Sequence, residues 1–134
     1  MTDKVHYRVN PTLDNEALNR LFSRSWPEHV VRDFQPVLRR ALGWLGAFDE
    51  QQLIGFVYLA TDGGKHAFLL DPTVDPGFRR RGIGIQLVKR AAALARSRQC
   101  RWLHVDYEAS LAPFYHAAGF RDSAAGVMEL DRST

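Results

Sequence analysis

From Ile83 to Ala95 the apolar residues recur at helical spacing: Ile83, Leu87, Val88, Ala91, Leu94 and Ala95. One stripe of this kind predicts an amphipathic helix, drawn over Ile85 to Ser97. The pattern shortens on either side of it. Ala67 to Val74 before the helix and Trp102 to Tyr107 after it are compact apolar runs of strand length. A strand–helix–strand succession closes by a right-handed crossover, which makes the two strands parallel neighbours.

Upstream, His6 to Val9 reads as a short strand. Asp14 is placed to cap a helix over Asn15 to Phe22, with Ala17, Leu18 and Leu21 on one face. Ser25-Trp26-Pro27 interrupts it. A second helix is expected from Val30 to Leu42, with Pro36 a break or restart within it. Trp44 to Phe48 and Leu53 to Ala60 flank the hairpin signal Asp49-Glu50-Gln51-Gln52. Asp62-Gly63-Gly64-Lys65 marks a second turn, leading into Ala67 to Val74, so the three strands form an antiparallel meander. Near the C-terminus, Pro113 to Ala118 predicts a short helix ended by Gly119. Phe120 onward is expected to return as a strand ending in Val127 to Leu130. The order is βααβββαβαβ: an α/β (α+β) chain with a mixed central sheet and about four helices.

Composition narrows the class. The 134 residues are 46% hydrophobic and 25% charged, which fits one globular domain over residues 1–134. No apolar run approaches a membrane span, and no apolar segment follows the charged N-terminus, so neither a membrane partner nor a signal peptide is expected. Cys100 is the only cysteine; with no internal disulfide, a cytoplasmic setting is the simplest reading. The histidines and the cysteine have no zinc-like spacing, so no metal is expected. The net charge of +3 is too small to argue for nucleic acid, but its excess gathers at Arg79, Arg80 and Arg81 and on the following helix.

Those arginines sit in Val74-Asp75-Pro76-Gly77-Phe78-Arg79-Arg80-Arg81-Gly82-Ile83-Gly84, between a strand and a helix. The first amides of a helix lack intrahelical acceptors and the macrodipole is positive there, so such a turn suits phosphate. Gly82 and Gly84 let the backbone come close to an anion. A Walker loop would need Lys-Ser or Lys-Thr after its last glycine, and the dinucleotide fingerprint would need glycine where Leu87 stands. The spelling that fits is Arg-x-x-Gly-x-Gly, with Arg79, Gly82 and Gly84. It resembles the coenzyme A loop of the GNAT superfamily of N-acetyltransferases. A second stretch, Phe114-Tyr115-His116-Ala117-Ala118-Gly119-Phe120, resembles the superfamily's closing signature, a tyrosine on a short helix followed by Gly-Phe. The element order agrees with that fold, and the resemblance covers Leu53 to Phe120.

The resemblance implies acetyl-CoA as co-substrate and an amine as acceptor. Backbone amides from Arg80 to Ile85, through Arg81, Gly82, Ile83 and Gly84, would hold the pyrophosphate. Thr73 and Val74 would pair with the pantetheine arm where the strands Ala67 to Val74 and Trp102 to Tyr107 splay apart. Tyr115 matches the tyrosine that protonates the leaving thiolate. The family often has Asn seven residues before that tyrosine; here Glu108 stands there and puts a carboxylate near the cleft. A homodimer through strands or the C-terminal segment is common in the family and stays open.

Acetyl transfer needs a neutral amine, a stabilised carbonyl oxygen and a proton for the thiolate. Many members carry a glutamate base on the strand before the loop, but Phe68 and Leu70 occupy those positions. Strand alternation turns Asp71 to the opposite face, as a structural hydrogen-bonder. It also gives His104, Asp106 and Glu108 one face of the following strand, either a proton relay or a solvated, salt-bridged surface. Glu28 and His29 form a weaker candidate. Without the resemblance, Tyr115 reads as a core tyrosine packed with Phe114 and Phe120. Two rivals remain: a non-catalytic acyl-CoA-binding module of the same fold, and a nucleic-acid-binding domain using Arg79 to Arg81. The latter lacks clustered exposed aromatics and a second basic patch.

Overall fold

The computed structural model describes residues 4–131. Strands β1 (Val5–Val9), β2 (Gly43–Asp49), β3 (Gln52–Thr61), β4 (His66–Val74) and β5 (Trp102–Val105) form one sheet in the order β1-β2-β3-β4-β5. The pairs are antiparallel up to β4, and β4 pairs with β5 in parallel. Four helices accompany the sheet: α1 (Asn15–Ser25), α2 (Gln35–Arg40), α3 (Ile83–Ser97) and α4 (Ala112–Ala117). The mixed sheet and the four helices match the architecture expected from the sequence.

Alternation along the central strands builds a core on each face. Val57, Leu59, Ala67 and Leu69 meet the α3 stripe of Ile83, Leu87, Val88, Ala91 and Leu94, and Tyr115 from α4 joins them. On the other face Phe48, Leu53 and Phe56 meet Leu18, Leu21 and Phe22 of α1, with Phe34 and Leu38. Asp14 caps α1, its carboxylate accepting from the Ala17 amide at 2.8 Å.

Three expectations change. The second helix begins at Gln35 rather than Val30, because Pro36 takes the first turn, where its missing N–H costs nothing. β5 stops at Val105, so strict alternation does not extend to Asp106 and Glu108. The final strand is absent: residues 121–131 have no regular structure. Gly119, with φ 108°, closes α4 through bonds from its own amide to His116 and from the Phe120 amide to Tyr115. Asp122 then accepts from His116 Nε2 at 2.8 Å and from the Tyr107 hydroxyl at 3.3 Å, which holds the chain to α4. The small residues Ser123 to Gly126 that follow offer no alternating apolar face.

The break between β4 and β5 has a local cause. Their pairing ends at Leu69 opposite Val105, although β4 continues to Val74. Just beyond, Phe56 faces Thr73 and Tyr58 faces Leu70, so Asp71 and Pro72 together stand opposite Val57. This is a β-bulge, with Asp71 at φ 55° and Pro72 offering no amide to a neighbour. It turns Asp71 towards Arg32, whose guanidinium donates to its carboxylate at 3.2 Å and lies 4.3 Å from the Phe34 ring centre. The alternation that predicts the opposite face for Asp71 therefore fails at this residue.

Candidate active site

The loop between β4 and α3 is anchored before it is charged. Asp75 is 1% exposed and accepts from Arg24 Nε at 2.6 Å, Arg24 Nη2 at 3.1 Å and the Gly77 amide at 2.8 Å. The Arg24 hydrogen bond holds its carboxyl below the usual range, against the opposing effect of burial. A 3-10 turn over Pro76–Phe78 follows, and then Arg79, whose Nε donates to the Val74 carbonyl at 3.2 Å. Arg80 and Gly82 both take positive φ, 66° and 77°. Left-handed residues on either side of Arg81 give the alternating backbone in which successive amides can form a concavity suited to an anion. The first amide bonded within α3 is that of Gln86, to the Gly82 carbonyl, so those of Ile83, Gly84 and Ile85 lie at the open, positive end of the helix. The Arg79, Arg80 and Arg81 side chains are exposed around it.

Thr73 and Val74 lie past the last β4–β5 pair, on the stretch of β4 that β5 leaves unpaired. The Thr73 hydroxyl is occupied: it accepts from Trp26 Nε1 at 3.1 Å and donates to the Asp71 carbonyl at 3.0 Å. Any role in holding a pantetheine arm therefore falls to backbone atoms, as the sequence reading requires.

Tyr115 reaches the same region from α4. Its ring stacks on Tyr107 at 4.6 Å and meets Phe114 and Phe120 edge-on. Burial, and then Tyr107, push its phenol above the ordinary value, so it keeps its proton at neutral pH. The residue is 4% exposed, yet its hydroxyl has no hydrogen-bond partner among the described residues and is not a sealed, unsatisfied atom. A core tyrosine of this kind normally spends its hydroxyl on a protein acceptor; this one keeps it available.

A cavity of about 510 Å³ runs along the parting strands, lined in part by Phe68, Leu70, His104, Asp106 and Tyr107. Of the three titratable positions on the β5 side, it takes in His104 and Asp106. Glu108 is exposed beyond the strand end, at the start of a 3-10 turn over Ala109–Leu111. His29 is turned to Asn19 at 2.8 Å and stacks on Phe34, and Glu28 is exposed. Among the described residues no His, Cys, Asp and Glu cluster could hold a metal ion.

The model of the acetyltransferase (GNAT) family matches residues 15–120. The chain belongs to the GNAT acetyltransferase family. No curated protein matches it. Among solved structures, a GNAT family protein of Streptococcus pneumoniae superposes with a TM-score of 0.79 at 21% identity, covering 97% of this chain and 100% of that one. An aminoglycoside N-acetyltransferase solved with CoA gives 0.73 at 21%, covering 96% and 97%. Glucosamine-6-phosphate N-acetyltransferase of Arabidopsis thaliana gives 0.73 at 14%, covering 94% and 99%. At such identities these likenesses show a shared GNAT fold.

Several residues that shape this candidate site escape sequence reasoning. Arg24 lies 51 positions from Asp75 and Trp26 lies 47 from Thr73, and no local pattern announces either pair. Pro72 inside a strand pattern is a signal, since proline in a sheet marks an edge or a bulge. His66 gives no sign in the sequence of its packing against His104.

Proposed function

We propose that this chain transfers an acetyl group from acetyl-CoA directly to an amine, without an acyl-enzyme. The observation that carries the reading is the Tyr115 hydroxyl, without a partner among the described residues, near a split in the sheet that leads to an amide-rich helix terminus. In this reading the curled amides from Arg80 to Ile85 hold the pyrophosphate, with Arg79, Arg80 and Arg81 adding charge. The backbone of Thr73 and Val74 pairs with the pantetheine arm, which takes the place β5 vacates. The amine nitrogen attacks the thioester carbonyl, the carbon–sulfur bond breaks, and Tyr115 gives its proton to the thiolate. Cys100 stands past the C-terminal end of α3, remote in sequence from the loop, which agrees with direct transfer.

The acetyl group needs an amine freed of its proton. Phe68 and Leu70 supply no base on β4, so the titratable side chains of the β5 segment, Glu108 among them, are the proposed route. A Glu108→Gln variant with a flattened acidic limb and retained coenzyme affinity is the outcome expected if the relay reaches that far. The solved neighbours named for an aminoglycoside and for glucosamine 6-phosphate make amino sugars the first acceptors to try. Calorimetry with acetyl-CoA, followed by free-thiol release over a panel of amino sugars, polyamines and lysine peptides, tests the proposal. Binding followed by amine-dependent thiol release is expected. Binding without release on any amine would make the chain a coenzyme-binding module instead.

A further inference from the structure

Two histidines from adjacent strands meet on the face that carries Phe68. His66 Nδ1 lies 2.8 Å from His104 Nε2, and their rings stack at 5.0 Å. The His104 ring also stacks on Phe68 at 4.8 Å. Phe68 and His104 are register partners, one step before Leu69 and Val105, where the strands part. His104 lines the cavity with Phe68, Leu70 and Asp106, whereas His66 stands behind it.

At 2.8 Å one of the two facing nitrogens must donate and the other accept. If His104 Nε2 carries the hydrogen and donates to His66 Nδ1, the lone pair of His104 Nδ1 is left free. A proton arriving there makes an imidazolium whose Nε2–H bond to His66 becomes charge-assisted and stronger. The pair cannot hold two charges cheaply, since both facing nitrogens would then bear hydrogens.

We propose that His104, through Nδ1 and backed by His66, is the base that takes the proton of the acceptor ammonium. This rests on the N-acetyltransferase reading above. The amine's N–H bond breaks with its electron pair left on nitrogen, which then forms the bond to the acetyl carbon. The proton stays on His104 and leaves to solvent after turnover. The nitrogen sheds its second surplus proton as the amide forms, and that proton restores Tyr115, by way of solvent, after the phenol has protonated the thiolate. The residue acts from β5, beside the β4 position that Phe68 fills. Phe68 packs against the ring and His66 holds its Nε2 edge, so the imidazole is oriented at the strand break.

The charged groups around the pair are few. Asp62, on the turn before β4, accepts from the His66 amide at 3.2 Å. Lys65 and Arg101 flank the strand starts, with Arg101 and Arg121 over the Trp102 ring. Asp106 on the β5 side and Asp122 of the following segment line the same cavity, Asp122 paired with His116, and the Arg32–Asp71 ion pair lies at the bulge.

The test begins with an amine that the wild-type chain acetylates, found by thiol release. His104→Gln is expected to lower kcat/KM by about 10²-fold, the lower end for a positioned base, with acetyl-CoA affinity and Tm kept. The acid limb of the pH–rate profile should vanish in His104→Gln and move in His66→Gln. His104→Ala should regain rate on adding imidazole. Wild-type rate and pH profile in His104→Gln overturn the assignment while leaving the acetyltransferase reading intact. A loss matched by lost coenzyme affinity, with no imidazole rescue, also overturns it. Absence of transfer by the wild-type chain to any amine overturns both.

Discussion

At the scale of single residues, the proposed chemistry rests on Tyr115 and the loop glycines. Tyr115→Phe keeps the ring against Tyr107, Phe114 and Phe120 and removes only the proton donor. Among the described residues the hydroxyl has no partner to lose, so Tm should stay nearly unchanged. In the proposed reaction its bond to sulfur strengthens only as the thioester breaks, so turnover should fall by about 10²–10⁴-fold with little effect on acetyl-CoA binding. Thiol release and a thermal melt on the one variant check both halves. The glycines separate conformation from space. A Cβ at Gly82 would meet nothing within 4 Å, but φ there is 77°, so Gly82→Ala should cost about 1–2 kcal/mol of stability through left-handed strain. Gly84 has a helical backbone, and a Cβ would lie 3.4 Å from the Phe114 ring, an ordinary contact. Gly84→Asp should therefore fold, while its carboxylate at the helix N-terminus opposes the pyrophosphate. Acetyl-CoA binding should drop below detection in calorimetry. Unchanged affinity would remove the loop from the coenzyme site.

Between elements, the working parts are the bulge that ends the β4–β5 pairing and the tie that fixes the loop behind it. Arg24 of α1 reaches Asp75 at the end of β4, and Asp75 in turn holds the Gly77 amide. The Asp75 carboxyl is lowered from an ordinary value of 3.8, chiefly by the Arg24 hydrogen bond. The unfolded chain therefore binds its proton more readily than the folded one. The resulting stability is complete above about pH 4 and is lost as pH falls through the depressed folded value. Asp75→Asn cannot ionise, so its Tm should lie below wild type at pH 7 and the gap should close below about pH 4. Melts of both proteins from pH 7 to pH 2 measure this. A constant gap would mean that the carboxylate charge contributes nothing. The same substitution loosens the turn entering the phosphate loop, so weaker acetyl-CoA binding should accompany the lower Tm at neutral pH.

Across the whole molecule, one sheet serves two cores. β3 gives Val57 and Leu59 to the α3 side and Phe56 to the α1 side, so neither core is complete without the same backbone. Loosening either side should weaken the other. Leu18→Ala, in a fully buried position of α1, should cost about 2–5 kcal/mol and lower a single cooperative transition. Val88→Ala, on the opposite core, should move that same transition. Circular dichroism and tyrosine–tryptophan fluorescence should follow coincident curves. Two separate transitions would show that the layers unfold independently and would rule out one domain.

The order of strands and helices was legible in the sequence because it rests on local periodicity: the stripe from Ile83 to Ala95, the Asp14 cap, the turns before β3 and β4. The turn proposed to bind phosphate was legible as a strand-to-helix turn for the same reason, since Arg79, Gly82 and Gly84 lie within one turn and a helix start. Tyr115 could be singled out by its motif, but not distinguished from a core tyrosine, because that depends on what its hydroxyl meets. Tertiary structure decided what depends on distant partners. It paired Arg24 with Asp75 and Trp26 with Thr73, set His66 against His104, and turned Asp71 out of its expected face at the bulge. It also denied the tail its strand. Residues 121–131 carry apolar positions, but a strand exists only where another backbone receives its hydrogen bonds, and no sequence pattern can supply that partner.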